Sequence, residues 1–149
     1  MIAKHVPMKT LKKSDFAGLV AYLADPQDKL ERVGYVKATH CQSEDPRDAG
    51  LEIQAKQAQN QRALSDKTYH LILSFRTGEN PPPEVLDAIE ARICAGLGYG
   101  EHQRVSAVHH DTDHLHIHIA INKIHPRRLT LHTPYNDHKT LGSLCEALE

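Results

Sequence analysis

The sequence predicts an α+β fold with a mainly antiparallel sheet. Segments with the two-residue alternation of strands and segments with helical periodicity alternate irregularly along the 149 residues. Two strand-like segments are separated by only four residues, 111–114, and so short a connection returns the chain as an antiparallel hairpin. The length is that of one domain, and the 40% hydrophobic content is ordinary for a globular protein.

In the first half of the chain, capping residues and prolines delimit the elements. Ser14 is a candidate N-cap for a helix over DFAGLVAYLA, and Asp25-Pro26 ends that helix. A loop around Asp45-Pro46 leads into a second helix over LEIQAKQAQNQRAL. The predicted elements are a strand at 1–6, a helix at 15–24, a strand at 34–41 and a helix at 51–64.

In the second half, alternation defines the strands, and prolines and glycines delimit a helix. KTYHLILSFR places four apolar side chains on one face and a mixed set on the other. The final LGSLCEALE is helical without a stop signal, so we expect the chain to continue in a longer polypeptide. The predicted elements are strands at 67–76, 104–110, 115–123 and 128–133, and helices at 83–98 and 141–149.

Composition excludes several classes of protein. The net charge is −1, so any surface that binds nucleic acid must be a local patch. No apolar run is long enough to cross a bilayer, and the first residues contain no secretory apolar region, so no membrane association is expected. The three cysteines are scattered and odd in number, which indicates reduced thiols in a cytoplasmic protein.

HHDTDHLHIHIAINK, residues 109–123, carries five of the twelve histidines. Alternate residues of a strand share a face, so His116 and His118 lie side by side, and a tight hairpin returns His109 next to them. Three neutral imidazoles can hold one divalent cation and leave positions for substrate oxygens. Asp111 could accept a ring N–H from one of them. The alternative is a polar surface hairpin in which the histidines have no shared role.

Tyr22 is a second candidate residue. At 100° per residue the core stripe of the first helix contains Phe16, Leu19, Val20 and Leu23. Tyr22 lies about 110° from the centre of that stripe, between the buried and solvated faces. A phenol there could face a cleft and attack a phosphodiester. A tyrosine at such a boundary is, however, more commonly an amphipathic residue without a catalytic role.

These segments together resemble the conjugative relaxases of the IncP-type, TraI-like (MOB-P) group, which belong to the HUH class of endonucleases. The resemblance covers nearly the whole chain and keeps the family order of its motifs. It rests on MIAKHVPM, KKSDFAGLVAYL, DKTYHLILSFRTGE, RICAGLG and EHQRVSAVHHDTDHLHIHIAINKIHP. One departure is His114, where relatives often have asparagine.

The resemblance implies a fold and a set of site residues. The fold would be a mainly antiparallel five-stranded sheet flanked by helices, with the histidine hairpin at its centre. Residues 1–149 would form a single relaxase domain at the N-terminus of a longer protein. The implied roles are nucleophile for Tyr22, DNA contact for Ser74, metal ligands for His109, His116 and His118, and a supporting acidic group for Asp111.

The resemblance also implies an activity. The enzyme would nick single-stranded DNA at a plasmid transfer origin, leaving a 5′-phosphotyrosine on Tyr22 and a free 3′-hydroxyl. The cofactor would be Mg²⁺ or Mn²⁺, although an all-imidazole site has a higher affinity for softer ions. Accessory relaxosome proteins and a coupling protein would be the partners, in the bacterial cytoplasm.

DNA contact requires local cations, and KIHPRR is the strongest candidate because it continues from the second histidine strand. The candidates are Lys67, Arg76, Arg104, Lys123, Arg127 and Arg128. The sequence also allows three alternative functions. Tyr135 and Lys139 match the YxxxK pattern of rolling-circle replication initiators, whereas a non-catalytic metal- or DNA-binding module, or a hydrolase that activates water, would leave both tyrosines without a role.

Overall fold

A five-stranded sheet in which every neighbouring pair is antiparallel forms the centre of the molecule. The structure, a computed structural model, describes residues 1–7, 15–25, 33–110 and 113–149. The strands are β1 (Ile2–Val6), β2 (Val33–Thr39), β3 (Thr68–Ser74), β4 (Arg104–His109) and β5 (His116–Asn122). The helices are α1 (Phe16–Ala24), α2 (Pro46–Ala58), α3 (Pro83–Gly96) and α4 (Asp137–Leu148). The strand order is β1-β3-β5-β4-β2. The predicted fold class, with the β4–β5 hairpin at the sheet centre, is confirmed.

Helices cover both faces of the sheet. Ile117, Ile119 and Ile121 of β5 pack on one face in a cluster that includes residues of α3 and α4. On the other face, alternate small residues such as Ala107 and Ala120 pack against α1 and α2. The alternation along β5 was predicted from the pleat of a strand. The α1 and α2 side is the face to which His116 and His118 belong, and we call it the histidine face.

Several helix boundaries differ from the prediction: α2 ends at Ala58 rather than at residue 64, α4 begins at Asp137 rather than at residue 141, and the starts of α1 and α2 differ as follows. The N-cap of α1 is Asp15, whose carboxylate accepts a hydrogen bond from the Gly18 amide at 2.9 Å; Ser14, the predicted cap, lies outside the described residues. The predicted start of α2 at residue 51 is wrong, because Asp45 accepts hydrogen bonds from the Arg47 and Asp48 amides and starts the helix at Pro46.

The predicted strand at 128–133 is also wrong, since this segment contributes only an isolated bridge between Ile124 and Leu131. Leu129 has a φ of 56°, a left-handed conformation that interrupts extended backbone. The ring of His125 accepts hydrogen bonds from the Arg127 and Arg128 amides, which fixes a turn instead. Among the helices of the described residues, none has the length and apolar character needed to cross a membrane.

A buried ion pair joins α3 to the sheet. Arg104 Nε donates to Glu90 Oε2 at 2.7 Å, and both side chains are less than one-tenth exposed. We predict that Glu90→Gln lowers the free energy of unfolding by about 3 kcal/mol, because Arg104 is left as a buried charge without a counter-ion. Urea denaturation measures this loss. Glu84→Gln, an exposed change on the same helix, should alter stability by less than about 0.5 kcal/mol, and equal losses for the two variants would contradict the prediction.

Candidate active site

The hairpin register brings three histidines together. His109 of β4 is the direct cross-strand partner of His116 in β5, and His118 follows two residues later on the same face. One ring nitrogen from each of the three lies within 4.8 Å of the others. The ring centroids are 4.4 Å apart for His109 and His118 and 5.1 Å apart for His116 and His118. The sequence-predicted metal ligands are therefore adjacent in space.

Each ring also makes a contact that orients it. Nε2 of the buried His109 donates to the Leu23 carbonyl oxygen at 2.8 Å, and Nδ1 of His116 donates to the His114 carbonyl oxygen at 3.1 Å. His118 Nδ1 lies 3.0 Å from Nε2 of His70. In a neutral imidazole the nitrogen that donates carries the proton, so the lone pair is at the other nitrogen. Such contacts fix the tautomer and ring direction of metal-binding histidines.

These three rings fit a divalent metal ion. Coordination at about 2.1 Å places neighbouring ligand nitrogens about 3 to 3.4 Å apart, so small ring rotations complete the site. His109 is 1% exposed, whereas His116 and His118 are half-buried, so the site is closed on one side and open to solvent on the other. Three protein ligands with an open side are typical of catalytic rather than structural metal sites.

The helix that carries Tyr22 lies over the histidine face. Phe16, Val20 and Leu23 of α1 are buried against the sheet, as predicted, while Leu19 is only partly buried. Tyr22 is 55% exposed, at the predicted boundary between the two sides of the helix. Because the carbonyl of Leu23 accepts the hydrogen bond from His109, Tyr22 is one residue from a group that contacts a candidate metal ligand.

Ser74 and Arg76 lie on the other side of the histidines, along β3 and just beyond it. Ser74 is the cross-strand partner of His116. Both residues line a cavity of about 710 Å³ whose wall also includes His116 and His118. Arg76 is exposed. The structure therefore brings these two predicted DNA-contacting residues close to the histidine cluster.

The other predicted cations are not near this cluster. Lys123 follows the far end of β5, five residues beyond His118, which corresponds to roughly 16 Å along a strand. Arg127 and Arg128 are farther along the chain, and Arg127 pairs with Glu101 at 2.8 Å. The remaining two candidates have internal roles. Arg104 forms the buried ion pair with Glu90, and Lys67 donates to backbone carbonyl oxygens of Gln57 and Asn60.

The remaining candidates for a catalytic role are Asp111 and Tyr135. Asp111 lies outside the described residues, so its role remains a prediction. Tyr135 precedes α4 and is 88% exposed. Leu141 of α4 packs in the cluster that contains Ile117 and Ile119, on the face opposite the histidines. Tyr135 therefore lies two residues before a helix that packs on the other side of the sheet from the metal-binding candidates.

Sequence reasoning missed His70. It lies on β3 opposite Ala120, on the histidine face, and is only 8% exposed. Burial, together with repulsion from His5 and His109, lowers the pKa of His70, so the ring is neutral near pH 7. A neutral His70 can accept the Nδ1–H of His118 and leave Nε2 of His118 as the ligand atom. The even spacing of four residues places His70 on the same face of its strand as Ser74, and this could have been predicted from the sequence. Its contact with His118 follows only from the pairing of β3 with β5.

We predict that His70→Ala weakens Mn²⁺ binding about tenfold, because outer-sphere hydrogen bonds to metal ligands typically contribute 10- to 100-fold in affinity. Titration calorimetry with Mn²⁺ measures the effect. His70→Gln keeps an acceptor oxygen and should restore part of the affinity. If the alanine and glutamine variants both bind Mn²⁺ like the unmodified protein, His70 does not orient His118.

Comparison with known proteins agrees with this geometry. The family model "Relaxase: MobA/VirD2-like, nuclease domain" matches residues 22–149. Two Escherichia coli proteins, each named Protein TraI, are 63% and 60% identical to the chain over all 149 residues. Protein MobA of Acidithiobacillus ferrooxidans is 42% identical over 64 residues, which is 43% of this chain and 16% of that protein. The chain spans 20% of the length of either TraI protein.

Proposed function

Since this chain belongs to the MobA/VirD2-like relaxase nuclease family, we propose that it nicks and rejoins single-stranded DNA at a plasmid transfer origin. The reaction would be a transesterification with Tyr22 as the nucleophile. The observation that carries this proposal is the hydrogen bond between His109 and the Leu23 carbonyl, because it joins the helix of Tyr22 to the cluster of imidazoles.

The chemistry follows from the residues of the chain. The phenol oxygen of Tyr22 attacks the phosphorus, the bond to the 3′-oxygen breaks, and the strand leaves with a 3′-hydroxyl after gaining a proton. One phosphodiester replaces another, so the reverse reaction can rejoin the strand. His109, His116 and His118 would hold a divalent ion, which when bound supplies positive charge that stabilises the developing charge on the phosphate. We assign Asp111 a supporting part in proton transfer or in orienting a histidine.

The proposal also includes a metal ion and partner molecules. We infer Mg²⁺ or Mn²⁺ as the physiological ion, and a softer ion could compete because all three ligands are imidazoles. The substrate is DNA of a transfer origin, and accessory relaxosome proteins and a coupling protein are the expected partners in the bacterial cytoplasm. The element that encodes the protein would be a plasmid or an integrative element.

The cations far from the histidines would bind a different part of the DNA. Lys123, Arg127 and Arg128 are too distant to touch the reacting phosphate, so we assign them to DNA away from the nick. Ser74 and Arg76 are assigned to the nucleotides at the nick, because they line the same cavity as His116 and His118.

The alternatives are less well supported. A rolling-circle initiator that uses Tyr135 would need that residue on the histidine face, whereas α4 packs on the opposite one. A metal- or DNA-binding module without catalysis would not need a tyrosine beside the metal ligands. The contact between the helix of Tyr22 and His109 therefore favours an enzyme.

A denaturing gel tests the proposal. Single strands of random sequence are incubated with the protein and Mn²⁺, and covalently attached DNA is recovered and sequenced to define the substrate. We expect a protein–DNA band that survives denaturation and disappears with a chelator. Cleavage that yields free 5′-phosphate without such a band would instead indicate hydrolysis by water.

A further inference from the structure

The turn that follows β5 carries two exposed arginines and is held from inside by a buried histidine. His125 is 6% exposed, and its Nδ1 accepts hydrogen bonds from the amides of Arg127 and Arg128 at 3.2 and 3.1 Å. The amide of His125 donates to the Thr130 carbonyl oxygen at 2.9 Å, which closes the turn. We call residues 125–130 the arginine turn. Its backbone is fixed at the base, and both arginine side chains are exposed to solvent.

This arrangement requires a neutral His125 ring in one tautomer. Because Nδ1 accepts hydrogen bonds, the proton is on Nε2, which donates to Glu101 Oε2 at 2.8 Å. The same carboxylate oxygen accepts a hydrogen bond from Arg127 Nη2, also at 2.8 Å. The hydrogen bond from His125 and the charge of Arg127 lower the pKa of Glu101, so this carboxyl group is ionised at neutral pH. One carboxylate therefore orients both the ring and an arginine.

A proton added to His125 would disrupt the turn. The second N–H would be at Nδ1, facing the two amide hydrogens, and both hydrogen bonds would be lost. Of the charged groups that face the ring, Glu101 favours protonation, whereas Arg128, with Nη2 at 3.4 Å from Nε2, and Arg127 oppose it. The ring of His102 packs edge-on at 5.3 Å, and burial lowers the pKa of His102. The intact turn is therefore linked to the neutral form of His125.

The arginine turn also contains a strained residue. Leu129 has a φ of 56°, a left-handed conformation that is unfavourable for a residue with a side chain. Its carbonyl oxygen accepts a hydrogen bond from Asn60 Nδ2 at 2.7 Å, and its amide donates to the His125 carbonyl oxygen at 3.0 Å. Such a conformation persists only where the surrounding structure fixes it. Contacts from two sides therefore fix the backbone from which both arginine side chains extend.

We propose that His125 is a positioning residue for DNA binding, whose neutral ring holds Arg127 and Arg128 in the arrangement that contacts DNA phosphates away from the nick. This inference rests on the proposed function, in which these arginines bind DNA. Cations on a fixed backbone lose less conformational freedom on binding than cations on a mobile loop, so the turn increases affinity. Acidification should therefore weaken this contact, although it adds positive charge elsewhere on the protein.

The test compares removal of the Nδ1 acceptor with its replacement. The probe is a labelled single strand that the protein attacks, and binding is measured by fluorescence anisotropy. We expect His125→Ala to weaken binding about fivefold at about pH 7.5. His125→Asn should stay within about twofold of the unmodified protein, because an asparagine side-chain oxygen accepts hydrogen bonds from amides two and three residues later.

The dependence on pH separates positioning from a purely structural role. Between about pH 7.5 and pH 5.5, the affinity of the unmodified protein should fall about fivefold relative to that of His125→Asn, since asparagine gains no proton. All other histidines are common to the two proteins, so their titration cancels in this ratio. The same pH dependence in both proteins would overturn the inference.

A double-mutant cycle tests whether His125 acts through the arginines. When Arg127→Ala is combined with Arg128→Ala, adding His125→Ala should cause no further loss of affinity. His138→Ala removes an exposed histidine from α4 and should leave the affinity and its pH dependence unaltered. An equal loss from His125→Ala with and without the two arginines would overturn the inference. Absence of a covalent adduct in the unmodified protein would instead refute the nicking function itself.

Discussion

Replacing Tyr22 with phenylalanine is expected to abolish covalent attachment of DNA, with a loss of at least about 10⁴-fold in the rate of adduct formation. The substitution removes only the hydroxyl that we propose as the nucleophile, and a phenylalanine ring cannot form a bond to phosphorus. Tyr22 is 55% exposed, so the change should leave folding stability nearly unaltered. The measurement is the rate at which a DNA-shifted band appears on a denaturing gel.

Tyr135→Phe is the matched control, because it removes a hydroxyl from a second exposed tyrosine. It should retain the full rate of adduct formation. Retained activity in Tyr22→Phe together with lost activity in Tyr135→Phe would assign the nucleophile to the C-terminal YxxxK pattern and would contradict the assignment made from α1.

The second large effect is expected from the metal ligands. His116→Ala combined with His118→Ala removes two of three imidazoles and leaves His109 alone, too few to hold an ion. We expect the loss of detectable Mn²⁺ binding by calorimetry, and a decrease in the rate of adduct formation on the order of 10³-fold or more, since charge stabilisation by a metal is worth several kcal/mol.

His138→Ala provides the comparison for these variants, since His138 is an exposed histidine in α4. Its Mn²⁺ binding and its adduct rate should equal those of the unmodified protein. Unchanged Mn²⁺ affinity in the double variant would show that the ion binds elsewhere, and the histidine cluster would then have no role in metal binding.

The sheet and the histidine hairpin could be predicted because they depend on local rules. A pleated strand fixes which residues of HIHIAIN share a face, and a four-residue turn fixes the antiparallel return. These two rules are sufficient to predict that His109, His116 and His118 lie together. The wrong prediction of a strand at 128–133 also has a local cause. The left-handed conformation of Leu129 and the hydrogen bonds accepted by the His125 ring form a turn, and hydrophobic periodicity does not detect either feature.

The rest of the site depends on pairings between distant parts of the chain. His70 meets His118 because β3 is the neighbour of β5. Ile2 lines the same cavity as His116 because β1 pairs with β3, about seventy residues away in sequence. Neither pairing can be read from alternation alone, which gives the faces of a strand but not its neighbours. The crossing of α1 over the histidine face likewise follows from small residues such as Ala107 and Ala120 that permit close packing.

Peptide mapping of the covalent adduct by mass spectrometry identifies which tyrosine attacks a phosphate at the three-histidine cluster. The protein is incubated with its single-stranded substrate and Mn²⁺, digested with protease and nuclease, and searched for a tyrosine that carries a nucleotide 5′-phosphate. We expect the modification on the peptide that contains Tyr22, and we expect none in the variant without His116 and His118. Modification of Tyr135, or DNA cleaved to a free 5′-phosphate with no modified peptide, would contradict this expectation.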